Sequence, residues 1–181
     1  TGLAVLGVIC FWVGAWGTES KAPGVSPDEA IQRLEKGNQR FVDEPSRGKE
    51  RAALVQGQHP YAVVLSCADW RVSPEILFDE ALGKLFVIRV AGNVVDTDVL
   101  GSIEYAVEHL HAHLLVVIGH DKCGAVQATL DGGTLPPDIA ALTSHIAPAI
   151  ASAKSRGLDA AGTMNAAVRE NALLQGRQAT E

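Results

Sequence analysis

Three short apolar runs in the middle of the chain predict buried β-strands. They lie at residues 61–66, 85–90 and 114–119, and each is rich in β-branched side chains. The runs are almost continuously apolar, which is typical of parallel strands that are covered by helices on both faces. The pattern therefore predicts a mainly parallel sheet.

Helical patterns precede, separate and follow these runs. Ser26, Pro27 and Glu29 have the spacing of a helix N-terminus, and apolar positions at helical spacing then predict an amphipathic helix over residues 26–43. Further helices are predicted over residues 74–82, 99–111, 124–130, 138–155 and 159–175, and the last two are rich in alanine. Alternation of strands and helices predicts an α/β domain in which helices flank the sheet.

The N-terminal stretch differs from the rest of the chain. Residues 3–16 are almost wholly apolar and give way to the polar run 18–21. An apolar run shorter than the roughly 20 residues of a membrane span, with small residues at its exit, is typical of a secretory signal peptide. We expect residues 1–17 to be a truncated signal peptide, so that the protein is exported and periplasmic. The alternative is a membrane anchor, with membrane contact confined to 1–17. Residues 18–25 are expected to be a linker, and 26–181 one domain.

Composition and charge narrow the classes of function. The 181 residues are 47% hydrophobic, which is enough for one domain with a full core. The 21 acidic residues exceed the 15 basic ones and give a net charge of −6, which disfavours nucleic acid as a partner. Three cysteines are too few for a disulfide framework, and their number is odd, so each thiol needs its own explanation.

Two of the cysteines accompany a histidine at the predicted strand ends. Cys67 follows the first strand, whereas His120 and Cys123 lie three residues apart in the turn after the third. The carboxyl ends of parallel strands meet at one edge of the sheet, so these side chains can converge. Two sulfurs and one nitrogen suit Zn²⁺ and leave a fourth position open, as in catalytic sites. The spacing alone fits two ordinary buried thiols and a turn histidine equally well.

Asp69 and Arg71 follow Cys67 closely and add a second chemical feature. An aspartate–arginine pair is by itself more typical of a structural salt bridge. Next to an open zinc position, however, Arg71 would keep Asp69 ionised, and Asp69 could accept a hydrogen bond from zinc-bound hydroxide. Such an acceptor matters because two thiolates cancel the charge of the zinc and weaken its acidifying effect on water.

Several ordered motifs together resemble the β-class carbonic anhydrase family. They are CADWRVSPE at 67–75, FVIRVAGN at 86–93, GSIEYA at 101–106 and GHDKCGA at 119–125. The similarity runs from about residue 26 to the end of the chain. It implies the fold of that family, whose members generally continue into a last strand and helices. We predict no such final strand in this sequence.

The resemblance also implies an activity and its principal residues. One Zn²⁺ per chain is expected, with Cys67, His120 and Cys123 as ligands. Asp69 and Arg71 are expected to form the catalytic dyad. The implied reaction is the reversible hydration of carbon dioxide to bicarbonate and a proton, by attack of zinc-bound hydroxide.

The substrate pocket and the assembly follow from the same resemblance. Gln58, Phe86 and Tyr105 are expected to line the carbon dioxide pocket, in part from a neighbouring subunit, which implies a homodimer or a higher homo-oligomer. Phe86 and Tyr105 as core residues and Gln58 as a surface residue are the alternatives. One departure from the family is Trp70, which stands between the dyad residues where a small serine is usual.

Three other functions fit parts of the pattern. A carbonyl sulfide or carbon disulfide hydrolase would use the same ligands with a different pocket. A catalytically silent zinc-binding module would result if Trp70 disables the dyad. A thiol redox role is the weakest, since Cys67 and Cys123 lack the spacing of a Cys-x-x-Cys motif.

Overall fold

The computed structural model describes residues 25–44, 51, 52 and 54–181. They belong to two compact units, one of which ends at Gln58 while the other comprises His59–Glu181. The predicted signal peptide at 1–17 and nearly all of the predicted linker at 18–25 lie outside the described residues. Among the helices that are described, none combines the length and the apolar character needed to cross a membrane.

The first unit contains helix α1, Pro27–Asp43. Ser26 caps it as predicted, since the Ser26 side chain accepts a hydrogen bond from the backbone N–H of Glu29 at 3.2 Å. The helix is amphipathic, and none of its residues is buried. Ile31 and Leu34 are among the apolar side chains that it exposes.

The second unit is built on a three-stranded parallel sheet. The strands are β1 (Ala62–Ser66), β2 (Leu85–Arg89) and β3 (Leu115–Val117), in the order β2–β1–β3. In register, Val64 of β1 lies opposite Val87 on one side and Val116 on the other. Every residue of the central strand is buried. The predicted α/β fold with a parallel sheet is confirmed, and β3 is shorter than the predicted 114–119.

Five helices and two short 3-10 turns surround this sheet. The helices are α2 (Pro74–Leu77), α3 (Thr97–Glu108), α4 (Gly124–Asp131), α5 (Pro137–Lys154) and α6 (Ala160–Gln178). The 3-10 turns are Trp70–Val72 and Ala91–Asn93. Both lie just after a strand, at the edge of the sheet where the site is formed.

Three of the predicted helices have wrong boundaries. The helix predicted over 159–175 continues to Gln178 as α6, and the backbone explains the other two. The helix predicted over 74–82 ends at Leu77, because Asp79 takes up a positive φ of 51° that a helix cannot contain. The helix predicted over 99–111 is α3, which begins earlier because the Asp96 side chain accepts a hydrogen bond from the Val99 N–H at 2.8 Å. It ends at Glu108, before His111 with its φ of 58°.

The core covers both faces of the sheet because side chains alternate along β1. Val63 and Leu65 point to one face and pack with Val99, Ile103 and Ala106 of α3. On the other face, Val64 packs with Val116 and Ile118 and with the partly buried Leu77 and Phe78. A third apolar cluster joins α4, α5 and α6 and includes Cys67 and Cys123. The candidate ligands therefore lie inside the packed core.

Candidate metal centre

The carboxyl ends of the three strands meet at one edge of the sheet. Cys67 directly follows β1, Asn93 closes the 3-10 turn after β2, and His120 comes three residues after β3. All three residues are buried. A parallel sheet brings the residues after its strands together in this way, although they are far apart in the sequence.

Cys67, His120 and Cys123 form a compact group of metal-binding side chains. Their ligand atoms all lie within 4.8 Å of one another, and the two sulfurs are 4.0 Å apart. Between His120 and Cys123 the chain turns sharply, since Lys122 adopts a positive φ of 53°. Cys123 then stands at the N-cap position of α4. The turn thus directs both side chains toward Cys67.

The geometry of this group fits zinc. Two sulfurs at the usual zinc–sulfur distance and a tetrahedral angle would be about 3.8 Å apart, close to the separation found. The His120 Nδ1 donates to the carbonyl of Asp121 at 3.0 Å, which leaves the lone pair on Nε2. That Nε2 atom is buried and has no hydrogen-bond partner. A buried acceptor of this kind is costly unless it binds something, and a metal ion would satisfy it.

The electrostatics of the group also favour a cation. The hydrogen bond between the two sulfurs lowers the pKa of Cys67 and raises that of Cys123, so that the negative charge is held on Cys67. Burial opposes protonation of His120, but the nearby Cys67 thiolate and the charge of Asp69 outweigh burial and raise the His120 pKa. A buried site that stabilises a thiolate is suited to a positive ion.

Asp69 and Arg71 form a two-point ion pair beside the group. The Arg71 Nε donates to Asp69 Oδ1 at 2.9 Å, and its terminal nitrogen donates to Oδ2 at 2.8 Å. The Arg71 backbone N–H adds a third hydrogen bond to Oδ1 at 2.9 Å. The Arg71 side chain is the main reason why the pKa of Asp69 falls to about 2, against the opposing effect of burial. Asp69 is therefore an ionised acceptor at neutral pH.

Trp70 does not disturb this pair. Trp70 is 84% exposed, so its ring points away from the core. Its two neighbours, Asp69 and Arg71, remain bonded to each other. The departure from the usual serine thus leaves the geometry of the two charged side chains intact.

Arg89, which the sequence reasoning missed, anchors the backbone of the same loop. From the end of β2, its Nε donates to the carbonyl of Cys67 at 3.1 Å and its terminal nitrogen donates to the carbonyl of Asp69 at 2.6 Å. One guanidinium thus binds the backbone of both Cys67, a candidate ligand, and Asp69, the ionised acceptor. A lone arginine in an otherwise apolar strand was the available signal, since such a charge needs a partner.

The structure brings two of the three predicted pocket residues together. The rings of Phe86 and Tyr105 have centroids 6.3 Å apart at an angle of 41°. Phe86 packs partly buried against the core, whereas Tyr105 is 49% exposed. Gln58 is an exposed residue of the other unit. The assignment of these residues to a carbon dioxide pocket stays a prediction.

Comparisons with known proteins agree on one family. The family model described as carbonic anhydrase matches residues 62–179. Carbonic anhydrase 2 of Mycobacterium tuberculosis is 46% identical over 145 residues, which cover 75% of this chain and 70% of that protein. A carbonic anhydrase of Mycolicibacterium smegmatis is 48% identical over 145 residues, with the same coverage of 75% and 70%.

Solved structures show the same relationship at the level of the fold. The β-carbonic anhydrase CcaA superimposes with a TM-score of 0.73 at 30% identity, covering 81% of this chain and 72% of that one. A Coccomyxa β-carbonic anhydrase, solved in complex with acetazolamide, gives a TM-score of 0.71 at 30% identity, covering 80% of this chain and 69% of that one.

Proposed function

The chain belongs to the β-class carbonic anhydrase family, and we propose on this basis that it catalyses the reversible hydration of carbon dioxide to bicarbonate and a proton. The observation that carries the proposal is the buried group of Cys67, His120 and Cys123 beside an ionised Asp69. Sequence relatives at 46% and 48% identity are named for this activity.

Cys67, His120 and Cys123 would hold one zinc ion per chain. Three protein ligands leave a position for water, and the chemistry that bound zinc supplies is the acidification of that water, for which carbonic anhydrases are the standard example. The chain contributes the two sulfurs, which lower the charge of the site, and the Nε2 of His120, whose Nδ1 is already bonded to the Asp121 carbonyl. This second hydrogen bond sets the tautomer and the orientation of the ring.

Asp69 would orient the reacting water as a hydrogen-bond acceptor. Because Arg71 holds its carboxylate at two points and keeps it ionised, Asp69 can accept but not donate a hydrogen bond at neutral pH. A donor bonded to Asp69 has its lone pairs free to face carbon dioxide. Arg71 and Arg89 would contribute indirectly, by fixing the carboxylate and the backbone that carries it.

The alternative functions have less support. A carbonyl sulfide or carbon disulfide hydrolase would need the same ligands, but the matched family and the relatives given above are named carbonic anhydrases. A silent zinc-binding module would gain ground if Trp70 disrupted the dyad. The ion pair of Asp69 and Arg71 is intact, which disfavours a silent module.

We further propose that the protein is exported to the periplasm. The support is the apolar run within residues 1–17, which has the length and exit of a signal peptide. A membrane anchor formed by the same residues is the alternative. Expression of the protein with its natural N-terminus, followed by N-terminal sequencing of the mature product from each cell fraction, distinguishes a cleaved leader from a retained anchor.

We also propose a homodimer or a higher homo-oligomer. Large apolar side chains are unusually exposed in the single chain: Trp70 by 84% and Ile76 by 81%. Helix α1 likewise buries none of its residues. A pocket completed by a neighbouring subunit would need such an interface. Sedimentation velocity should show a species of at least twice the 19.0 kDa chain mass, and a monomer at micromolar concentration would reject this assembly.

The activity is tested by offering the three candidate substrates to the same zinc-loaded preparation. We expect rapid carbon dioxide hydration in stopped-flow measurements, with no comparable release of hydrogen sulfide from carbonyl sulfide or carbon disulfide. Cys67→Ser should abolish the hydration and the bound zinc together. Hydrolysis of a sulfur substrate at a higher rate than hydration would favour the alternative enzyme, and zinc without any turnover would favour the silent module.

A further inference from the structure

A buried chain of hydrogen bonds links helix α6 to the sulfur of Cys67. The backbone N–H of Gly92 donates to Cys67 Sγ at 3.3 Å, and the carbonyl of the same glycine accepts from Asn171 Nδ2 at 2.8 Å. Asn171 lies 79 positions further along the sequence and is 1% exposed. One asparagine thus holds the peptide segment that bonds to a candidate ligand.

Gln175, one helical turn after Asn171, completes this series of hydrogen bonds. Its Nε2 donates to Asn171 Oδ1 at 3.0 Å and to the carbonyl of His145 at 3.1 Å. Its Oε1 accepts from the backbone N–H of Val95 at 2.7 Å. The Gln175 side chain is fully buried, and both of its polar atoms are hydrogen-bonded, to α5, α6 and the segment after β2.

The backbone at Gly92 is closely surrounded by neighbouring side chains. Gly92 has a φ of +70°, and a Cβ atom on it would lie 2.7 Å from Ile146 Cδ1 and 3.0 Å from Ala125 Cβ. Its peptide groups are therefore set by packing on one side and by Asn171 on the other. Two polar side chains on an alanine-rich helix, buried against a loop, are costly unless each hydrogen bond is made.

We propose that Asn171 is a positioning residue for the metal centre: it fixes Gly92 so that the Gly92 N–H donates to Cys67 Sγ, and Gln175 fixes Asn171. An N–H donor stabilises the buried negative charge of a thiolate and holds the sulfur in the position from which it binds an ion. The hydrogen bonds that run from α6 through Gly92 to the sulfur therefore set how strongly Cys67 binds its ion. This inference rests on the proposed function, because it requires a metal at Cys67.

The test compares three variants of the full chain. Asn171→Leu removes the donor to Gly92. Gln175→Leu leaves that donor in place and removes the bond that supports Asn171, together with the bonds to His145 and Val95. Ile150→Val is the matched control, since Ile150 is a buried residue of the same apolar cluster as Cys67 with no part in the hydrogen bonds. The readouts are the rate of zinc transfer to a chromogenic chelator and the sulfur-to-cobalt charge-transfer band of the Co²⁺-substituted protein.

We expect zinc loss to accelerate about 10- to 100-fold in Asn171→Leu, less in Gln175→Leu, and by no more than about twofold in Ile150→Val. The charge-transfer band should shift in the same order, which a loss of stability alone would not produce. If Asn171→Leu loses zinc at the rate of Ile150→Val with an unshifted band, the positioning role is rejected while the proposed function stands. If the unaltered protein binds no metal at these residues, both fail.

A measurement on the unaltered protein covers the case in which Asn171→Leu does not fold. In the ¹¹³Cd-substituted protein, a hydrogen bond from Gly92 to a metal-bound sulfur should transmit a scalar coupling between the Gly92 amide proton and the cadmium. We expect that coupling to be resolved. A sharp Gly92 amide resonance without coupling to ¹¹³Cd would overturn the proposal.

Discussion

Arg71 donates hydrogen bonds to both carboxylate oxygens of Asp69, with donor–acceptor distances of 2.9 Å and 2.8 Å. Two-point pairs of this kind define the orientation of a carboxylate as well as its charge. Asp69 lies two residues after Cys67 and Arg71 four residues after it, so the ion pair and this candidate ligand belong to one loop.

Asp69→Asn should separate metal binding from catalysis. The amide keeps the size of the side chain but is neutral and donates as well as accepts, so the bond to reacting water is no longer defined. We expect zinc content to stay at the unaltered level while hydration falls by about 10²- to 10⁴-fold. Stopped-flow hydration and elemental analysis of one preparation check this. Unchanged turnover would remove Asp69 from the mechanism.

Trp70→Ser serves as the neighbouring control. Because the Trp70 residue is 84% exposed and the pair beside it is intact, the substitution should preserve or raise hydration, and change the free energy of unfolding by no more than about 0.5 kcal/mol in the monomer. A collapse of activity with retained zinc would instead make the ring part of this site. Sedimentation of the variant shows separately whether Trp70 contributes to assembly.

Arg89→Lys tests the anchoring of the loop backbone. Arg89 donates from two nitrogens to the carbonyls of Cys67 and Asp69, and a lysine ammonium cannot reproduce that planar fork. We expect a loss of about 10-fold or more in kcat with zinc still bound. Arg156→Lys is the matched control, since Arg156 pairs with Glu170, which is not a residue of the candidate site. Equal kinetics for the two variants would contradict an anchoring role.

Gly92→Ala should destabilise the protein through both sterics and backbone strain. A Cβ would lie 2.7 Å from Ile146 Cδ1, and the φ of +70° disfavours any side chain. The expected cost is about 1–3 kcal/mol in the free energy of unfolding, measured with denaturant. Gly101→Ala is the control, because nothing lies within 4 Å of its Cβ position in α3 and alanine favours a helix by about 1 kcal/mol. The two substitutions should therefore have opposite signs.

Removal of the metal should lower stability as well as activity. An ion that binds only the folded chain adds about 4 kcal/mol at a thousandfold excess over its Kd. We expect a strong chelator to lower the Tm and added zinc to restore it. Cys123→Ser should show a reduced response to either treatment, and a Tm that is indifferent to chelation in the unaltered protein would contradict the site.

The sequence pattern was sufficient for the parts of the molecule that depend on local signals. Continuous apolar runs predicted the three strands, and residues just after them predicted that Cys67, His120 and Cys123 could converge. Boundaries failed where a single residue decides the backbone, as at Asp79, whose positive φ ends α2 early. Nothing in the local pattern distinguishes such an aspartate from a helical one.

The partners of the supporting side chains could not be predicted from the sequence. Arg89 and Asn171 act through backbone carbonyls, which carry no residue-specific signal in the sequence. Asn171 also contacts a glycine 79 positions away, and only the packing of α6 brings them together. The spacing of Asn171 and Gln175 on an alanine-rich helix was the available hint, since residues four apart share one helical face.

The central claim is tested most directly by zinc content and carbon dioxide hydration measured on the same preparation. The account predicts one zinc per chain, fast hydration, and the loss of both in His120→Ala. A parent protein that folds, is supplied with zinc, and neither retains the metal nor hydrates carbon dioxide would contradict it.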